Sequence, residues 1–247
     1  MSKIERLEAD GSLAHTTDVY FVVVLELAEK HELINHLMAS GPLEEGLAKV
    51  YFYKLAVALR ELKKKGVAHR DVKPDNIVFD KHFEVKLIDF GFAGLSTKYK
   101  DGKLRTRLGT DQYMAPELRL GEAYDGFQAD VFSLGATLFT ALIGVPPFHS
   151  SRNEDCYFAA IKKGQWEALW NTYEDFSAVR PCSQFKHLVQ NMLHPDPAQR
   201  ATIEEVLASE WLSQGEVPSV EEVVAAMRLK CEQVLVQKQK RRMELFQ

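Results

Sequence analysis

Four side chains in this sequence have types and spacing that could serve a single reaction. Asp71, Lys73 and Asn76 lie in the run His69–Arg70–Asp71–Val72–Lys73–Pro74–Asp75–Asn76, and Asp89 follows in Asp89–Phe90–Gly91. Transfer of a phosphoryl group from a magnesium nucleotide needs such groups. One carboxylate orients the attacking hydroxyl, oxygen donors hold the hard metal ion on the phosphates, and a cation offsets charge on the transferred group. Between the two ends lie Ile77–Val78–Phe79 and Val85–Lys86–Leu87–Ile88, separated by a polar stretch with Lys81 and His82. Two short apolar runs around a polar turn predict a hairpin with functional groups at both of its ends.

Either motif alone would pass for a charged loop. Both, in this order and spacing, make H-R-D-x-K-x-x-N followed by D-F-G, which resembles the catalytic and metal-binding loops of eukaryotic protein kinases. Lys73, two residues after Asp71, resembles the serine/threonine branch, and Thr110 is a second match to it. The resemblance runs from about Leu7 to Leu212. It implies an α+β, protein-kinase-like fold: a mainly helical large lobe with a remnant of the small-lobe antiparallel sheet. The implied division is residues 1–25 as the last two small-lobe strands, 26–212 as the large lobe, and 213–247 as an amphipathic helical tail.

The resemblance also implies roles, residue by residue. Asp71 orients a substrate serine or threonine hydroxyl and finally accepts its proton, while Lys73 stabilises charge on the transferred group. Asn76 and Asp89 hold Mg2+ on the phosphates of ATP. Leu25 stands where a residue guards the back of the adenine pocket, and Glu26, Leu27 and Ala28 where a linker hydrogen-bonds adenine. Leu33 and Val78 stand at the pocket floor; plain core packing is compatible with Leu25, Leu33 and Val78 as well. Glu32 resembles the acidic residue that touches ribose or a basic substrate residue, and Asp75 could face such a residue too. Thr110 opens Thr110–Asp111–Gln112–Tyr113–Met114–Ala115–Pro116–Glu117, which resembles the substrate-docking loop, and resembles the threonine that bridges the catalytic Asp and Lys. Arg70 resembles the receiver of a phosphorylated activation-segment residue, here Thr106, between the basic Arg105 and Arg107. Asp130 resembles a buried aspartate that braces the catalytic loop, although a lone Asp before a helix is usually an N-cap. Glu117 and Arg200 resemble a buried ion pair. Phe92 resembles kinases that prefer serine, and Thr140 replaces a glutamate found in strongly basophilic relatives, which argues against a double-basic requirement. The pattern is most similar to calcium/calmodulin-dependent-type kinases, with protein substrates as partners.

The elements that must position these groups are legible to different degrees. Ile4–Glu8 and Val19–Leu27 read as strands around a polar connection from Asp10 to Asp18. From Pro42 to Lys65, the residues Leu47, Val50, Tyr51, Leu55, Ala58, Leu59 and Leu62 share one helical face, and Gly66 supplies the stop. Phe92–Arg107 reads as a mobile polar loop. The run from Val131 invites a membrane reading, but its glycines, threonines and prolines fit a buried core helix better. Trp166, Trp170, Phe176 and Phe185 read as packing residues, and Thr202 with Glu205 as a capping box. Gly215 and Pro218 form a linker. Ser219 with Glu222 then caps a helix whose Val220, Val223, Val224, Met227, Cys231, Val234 and Leu235 share a face. That helix could pack on the large lobe, regulate it, or bind a calcium sensor with its basic end; the linker predicts that it is separable from the core.

Composition sets the outer bounds. With 247 residues, 46% apolar and 27% charged, the chain has the makings of an ordinary globular protein. Its 31 basic against 35 acidic residues give no reason to expect nucleic acid or a membrane as partner. Cys156, Cys182 and Cys231 form no metal-ligand pattern and point to reduced thiols, hence to the cytoplasm with the nucleus as a second compartment. Ahead of Leu25 there is one lysine, Lys3, and one glycine, Gly11. A Gly-rich loop and a strand lysine, which complete a kinase nucleotide cleft, are therefore not found in these residues. A fragment of a longer kinase is expected rather than a degenerate kinase serving as a binding scaffold, because Asp71, Lys73, Asn76 and Asp89 are all intact.

Overall fold

The computed structural model describes residues 6–7, 13–14, 22–176 and 179–244. The fold is α+β, and its centre is helix α3 (Gly126–Ile143). Asp125 caps the helix by accepting from the backbone N–H groups of Phe127 and Gln128, and Gly144 ends it at φ 94°. Nearly every residue of α3 is buried, including Ser133, Thr137 and Thr140. Each of these hydroxyls donates to a carbonyl one turn earlier, which satisfies it without a partner helix. The helix is apolar and long enough to cross a membrane by composition, but 89% of that window is buried inside the fold.

Around α3 pack α1 (Leu33–Ser40), α2 (Glu45–Lys64), α4 (Cys156–Lys162), α5 (Trp166–Phe176), α6 (Ser183–Met192), α7 (Ile203–Leu207) and α8 (Glu210–Ser213). The α2 stripe is close to the predicted one, with Ala48, Phe52 and Ala56 buried in addition and Val50, Ala58 and Leu62 only half-buried. Trp170 and Phe185 are core residues and Trp166 is partly buried against them, as their aromatic character predicts; the Phe176 side chain lies outside the described residues. Gly135 lets α6 approach closely, since a Cβ there would meet Met192 Cβ at 2.7 Å. The Thr202–Glu205 capping box is formed.

The sheets are small. β1 (Arg6–Leu7) pairs with β2 (Leu13–Ala14), β3 (Val67–Ala68) with β6 (Gly94–Leu95), and β4 (Ile77–Phe79) with β5 (Val85–Leu87), all antiparallel. Two expectations fail here. Leu13–Ala14 is a strand where a polar connection is predicted, and Val22–Leu27 is irregular chain where a strand is predicted. Val22, Val23, Val24, Leu25 and Leu27 are exposed, with Leu25 at 78%. An apolar run becomes a strand only when a neighbouring edge takes its backbone N–H and C=O groups, and no described residue pairs with this one. Residues 19–21, and 4, 5 and 8 of the first predicted strand, lie outside the described residues.

Helix α9 (Val220–Glu244) corrects another expectation. The capping box of Ser219 and Glu222 starts it. The helix then lies along α1, burying Val223, Met227, Cys231 and Val234, while Val220 and Leu235 stay exposed. Lys230 donates to Ser40 Oγ and to Pro42 O, and Gln237 to Met38 O. Of the three readings of the tail, packing on the large lobe is the one observed, against the expectation of a helix that stands apart from the core. A linker of Gly and Pro records only where a helix stops; the apolar face of the next helix decides whether it docks. Met227, fully buried, should therefore cost about 2–5 kcal/mol when replaced by alanine. Thermal denaturation of Met227→Ala should show a melting temperature lowered by roughly 4 °C or more; an unchanged value would restore the separable tail.

Candidate active site

The β4–β5 hairpin brings the two motifs together. Its register pairs Ile77 with Leu87, and the Ile88 N–H donates to Asn76 O at 2.9 Å. Asn76 and Asp89 are thus placed at the same end of the hairpin, one residue out of step. A third segment joins this hairpin: Glu32 bridges Val78, with Phe79 N donating to His31 O.

Asp71 lies at the centre of a closed hydrogen-bond network. Its Oδ1 accepts from the Thr110 hydroxyl at 2.9 Å, and its Oδ2 accepts from Asn76 Nδ2 at 2.9 Å and faces Lys73 Nζ at 2.8 Å. Lys73 Nζ also donates to Thr110 Oγ1 at 2.7 Å. The threonine hydroxyl therefore receives from the lysine and donates to the aspartate, which uses its single proton without conflict. Asp71 is 5% exposed, so its charge is met by fixed donors in a weakly polarisable setting.

The loop before Asp71 is held from below by Asp130. Its Oδ2 accepts from His69 N at 2.7 Å and its Oδ1 from Arg70 N at 2.6 Å. Arg70 has φ 67°, a left-handed conformation that costs a non-glycine residue about 1–2 kcal/mol. Both N–H groups point to one buried carboxylate, and this is what holds the strained turn. Burial pushes the Asp130 carboxyl up to about 7, against the two backbone N–H groups, which favour the charged form. The helix cap that sequence pattern alone would assign to Asp130 is Asp125 instead. Asp89 is the other left-handed residue of the site, at φ 63°, with its side chain accepting from Gly91 N.

His69 is the residue whose part the sequence reading missed. Its Nε2 donates to Ile88 O at 2.9 Å, and its Nδ1 accepts from Asp71 N at 3.3 Å. The neutral ring thus ties the Asp71 backbone to the residue before Asp89, with Phe90 edge-on at 4.9 Å between centroids. Only the closeness of His69 to Asp71 in the sequence hinted at it. Tyr124 is the other residue missed. Its hydroxyl accepts from Arg70 Nη1 at 3.1 Å and donates to Thr106 O at 2.8 Å. The Arg70 guanidinium further donates to Phe92 O and Ala93 O. Arg70 and the exposed Thr106 are thus linked through a phenol and not directly. Gly94 makes room for this guanidinium, since a Cβ there would sit 3.0 Å from Arg70 Cζ.

The remaining expected residues divide into two groups. Leu33 and Val78 are buried, and Glu32 lies beside them, its carboxylate bonded by the Asn35 amide. Leu25 and Glu26 are not brought to them: Leu25 is exposed, so it backs no pocket, and Glu26 instead pairs with Lys86 at 3.2 Å. Ala28 is half-buried and Asp75 exposed. Glu117 and Arg200 form the two-pronged pair, at 2.6 and 2.9 Å, with Arg200 also donating to Gln128 O and His194 O. The donor set suits magnesium. Asn76 turns its amide nitrogen to Asp71, leaving Oδ1 without a protein partner among the described residues, and the Asp89 carboxylate is exposed with one oxygen engaged. Magnesium takes one or two such protein oxygens and completes its shell with phosphates and water. Among the described residues no cluster of three His, Cys, Asp or Glu exists that would suit a protein-caged ion.

The chain belongs to the protein kinase family, serine/threonine branch: the protein kinase domain matches over residues 11–212. It is 36% identical over 219 residues to CBL-interacting serine/threonine-protein kinase 15 of Arabidopsis thaliana, covering 88% of this chain and 49% of that protein. It is 36% identical over 200 residues to CBL-interacting protein kinase 33 of Oryza sativa subsp. japonica (81% and 41%), and 33% identical over 239 residues to CBL-interacting protein kinase 9 of the same organism (93% and 50%). The chain spans about half the length, or less, of these relatives.

Burial lowers the His69 pKa from its ordinary 6.5. The folded protein therefore holds fewer protons there than the unfolded chain, and stability present above 6.5 is lost as the pH falls. His36, also lowered by burial, acts in the same sense, and Asp130, raised, in the opposite one. Chemical denaturation of the wild type and His69→Gln at pH 7 and pH 5.5 isolates the contribution of this ring. The wild type should lose more stability on acidification than the variant; equal losses would mean that the neutral ring does not hold the junction.

Proposed function

We propose that these residues supply the large-lobe half of an active site that transfers the γ-phosphoryl group of ATP to a protein serine or threonine hydroxyl. The observation that carries this reading is the closed Asp71–Thr110–Lys73 network, which aims one buried carboxylate and one ammonium group at the same point. A substrate hydroxyl oxygen would form the bond to the γ-phosphorus as the bond to the β–γ bridging oxygen breaks and ADP leaves. Asp71 orients that hydroxyl and takes its proton. Lys73 meets charge on the transferred group, and Asn76 and Asp89 would hold magnesium, which neutralises the phosphates when bound. Leu33 and Val78 would carry adenine, Glu32 the ribose, and Glu32 and Asp75 a basic residue of the substrate. The covering half of the cleft, a Gly-rich loop and a strand lysine, has to join this half for the phosphates to be held in line. The alternative is a degenerate kinase that serves as a binding scaffold without transferring phosphate. The exposed Leu229, Val236 and Met243 beside Lys240, Arg241 and Arg242 leave the outer side of α9 open to a partner such as a calcium sensor, and the similar kinases are named for interaction with CBL.

The test compares the chain alone with the chain joined to a small lobe that has both missing parts, by incorporation of labelled phosphate into a basic serine peptide. The chain alone should show almost no transfer. The joined form should turn over, with Asp71→Ala lowering the rate about 10²–10⁴-fold and Asp89→Ala serving as blank. A folded but inactive joined form would favour the scaffold. Robust turnover of the chain alone, abolished by Asp89→Ala, would mean that some other residue stands in for the missing lysine.

Thr106 is proposed as the regulatory phosphorylation site. Its phosphate would gain charge-assisted hydrogen bonds from the Arg70 region. In the joined form Thr106→Ala should lower activity strongly, and Arg70→Ala should remove the gain from phosphorylation. Full activity of Thr106→Ala would end the proposal.

A further inference from the structure

Next to Thr110 stands a cluster of charges to which none of the roles above applies. Arg119 Nη2 donates to Asp111 O at 3.0 Å and pairs with Asp111 Oδ1 at 3.0 Å. Arg119 Nε donates to Ser151 Oγ at 2.9 Å, and that hydroxyl donates to Met114 O at 2.5 Å. From the solvent side, Arg152 Nη2 approaches Asp111 Oδ2 at 3.4 Å. We propose that Arg152 and Arg119, sharing Asp111 on the docking loop, form a subsite that reads an anionic side chain of the protein substrate near the acceptor hydroxyl. The inference rests on the kinase reading above and names a feature of the substrate class.

Three observations carry it. The first is place: Asp111 directly follows Thr110, whose hydroxyl touches Asp71, so a peptide presenting its hydroxyl to Asp71 passes beside this cluster. The second is charge and acceptor count. Two guanidinium groups share one carboxylate, leaving one positive charge in excess. Arg119 Nη1 is buried and has no hydrogen-bond partner. Of the acids in the neighbouring stretch of chain, the Asp155 side chain is 6% exposed and already accepts from the N–H groups of His149, Ser150 and Phe158. Its charge is committed to the start of α4.

The third observation is rigidity with an open face. The Arg119 side chain is 8% exposed and clamps the loop at Asp111 and, through Ser151, at Met114. Asp111 is thus held in place, while Arg152 is 51% exposed and makes one long contact. Its planar fork can take a carboxylate or a phosphate two-pronged without breaking the clamp beneath. A basic residue read by Glu32 or Asp75 and an anionic one read here would lie at different places on one peptide, which gives the substrate a direction as well as a charge.

The chain itself is the material for the test, with fluorescent serine peptides titrated and binding followed by anisotropy, without nucleotide. Glutamate, alanine, lysine or phosphoserine is scanned through positions on both sides of the serine. At one position glutamate should bind about two- to fivefold more tightly than alanine, the range of a half-exposed ion pair, with phosphoserine tighter still and both gains shrinking at high salt. Arg152→Ala should bring the glutamate peptide to the level of the alanine peptide, and Arg152→Glu should make lysine the favoured residue there. A gain with phosphoserine alone would assign the subsite to substrates already phosphorylated. Equal affinities, no binding of any peptide, or a glutamate preference that survives Arg152→Ala would overturn the proposal. Because no phosphate is transferred in this assay, its outcome stays separate from that of the labelled-phosphate test.

Discussion

The arrangement of the site depends on one buried carboxylate. Asp130 reaches out of the core helix α3 and accepts the N–H groups of His69 and Arg70. These two donors would otherwise be buried in a turn that no ladder or helix satisfies, and an unpaired buried N–H costs about 1–3 kcal/mol. Pairing them also makes the left-handed Arg70 conformation tolerable. Because α3 is the most buried helix of the fold, the turn that presents Asp71 is referenced to the stiffest part of the molecule. The position of Asp71, Lys73 and Asn76 is therefore set by core packing and not by the intrinsic preference of the short loop that carries them.

From that turn, order spreads by side chains with two obligations each. His69 uses one ring nitrogen for Asp71 N and the other for Ile88 O. Thr110 accepts a hydrogen bond from Lys73 and donates one to Asp71. The Arg70 guanidinium reaches Phe92 O, Ala93 O and the Tyr124 hydroxyl, and that hydroxyl reaches Thr106 O. These links join separate loops, so the His69–Asn76 loop, the segment after Asp89 and the loop that opens at Thr110 form one polar network. Such a network is favourable only when all its members are satisfied, which is why single residues like Tyr124 matter beyond their own contacts.

The periphery follows different rules. Helix α9 covers α1 and thereby braces the segment that ends in Glu32, with Lys238 Nζ at 3.1 Å from His31 Nδ1. The stretch Val22–Leu27, by contrast, shows its apolar side chains to solvent. Five apolar residues among six are the material of a strand, and backbone pairing is the part of a strand that no side chain can supply for itself.

Local pattern alone determined a good deal: the α2 stripe, the Thr202 and Ser219 capping boxes, the β4–β5 hairpin and the group types of Asp71, Lys73, Asn76 and Asp89. Each depends on residues a few positions apart, where helical or strand periodicity and turn chemistry act directly. Motif order also anticipated pairings across long separations, Asp130 with the catalytic loop and Glu117 with Arg200, although nothing in their spacing requires them. What only the tertiary structure decided is how ambiguous groups are used. It made His69 a neutral bridge, put Tyr124 between Arg70 and Thr106, laid α9 onto α1 and left Val22–Leu27 unpaired. The physical reason is the same in each case. A side chain's donors, acceptors and apolar face state what it can satisfy, and only the neighbours delivered by folding settle which of those demands is met.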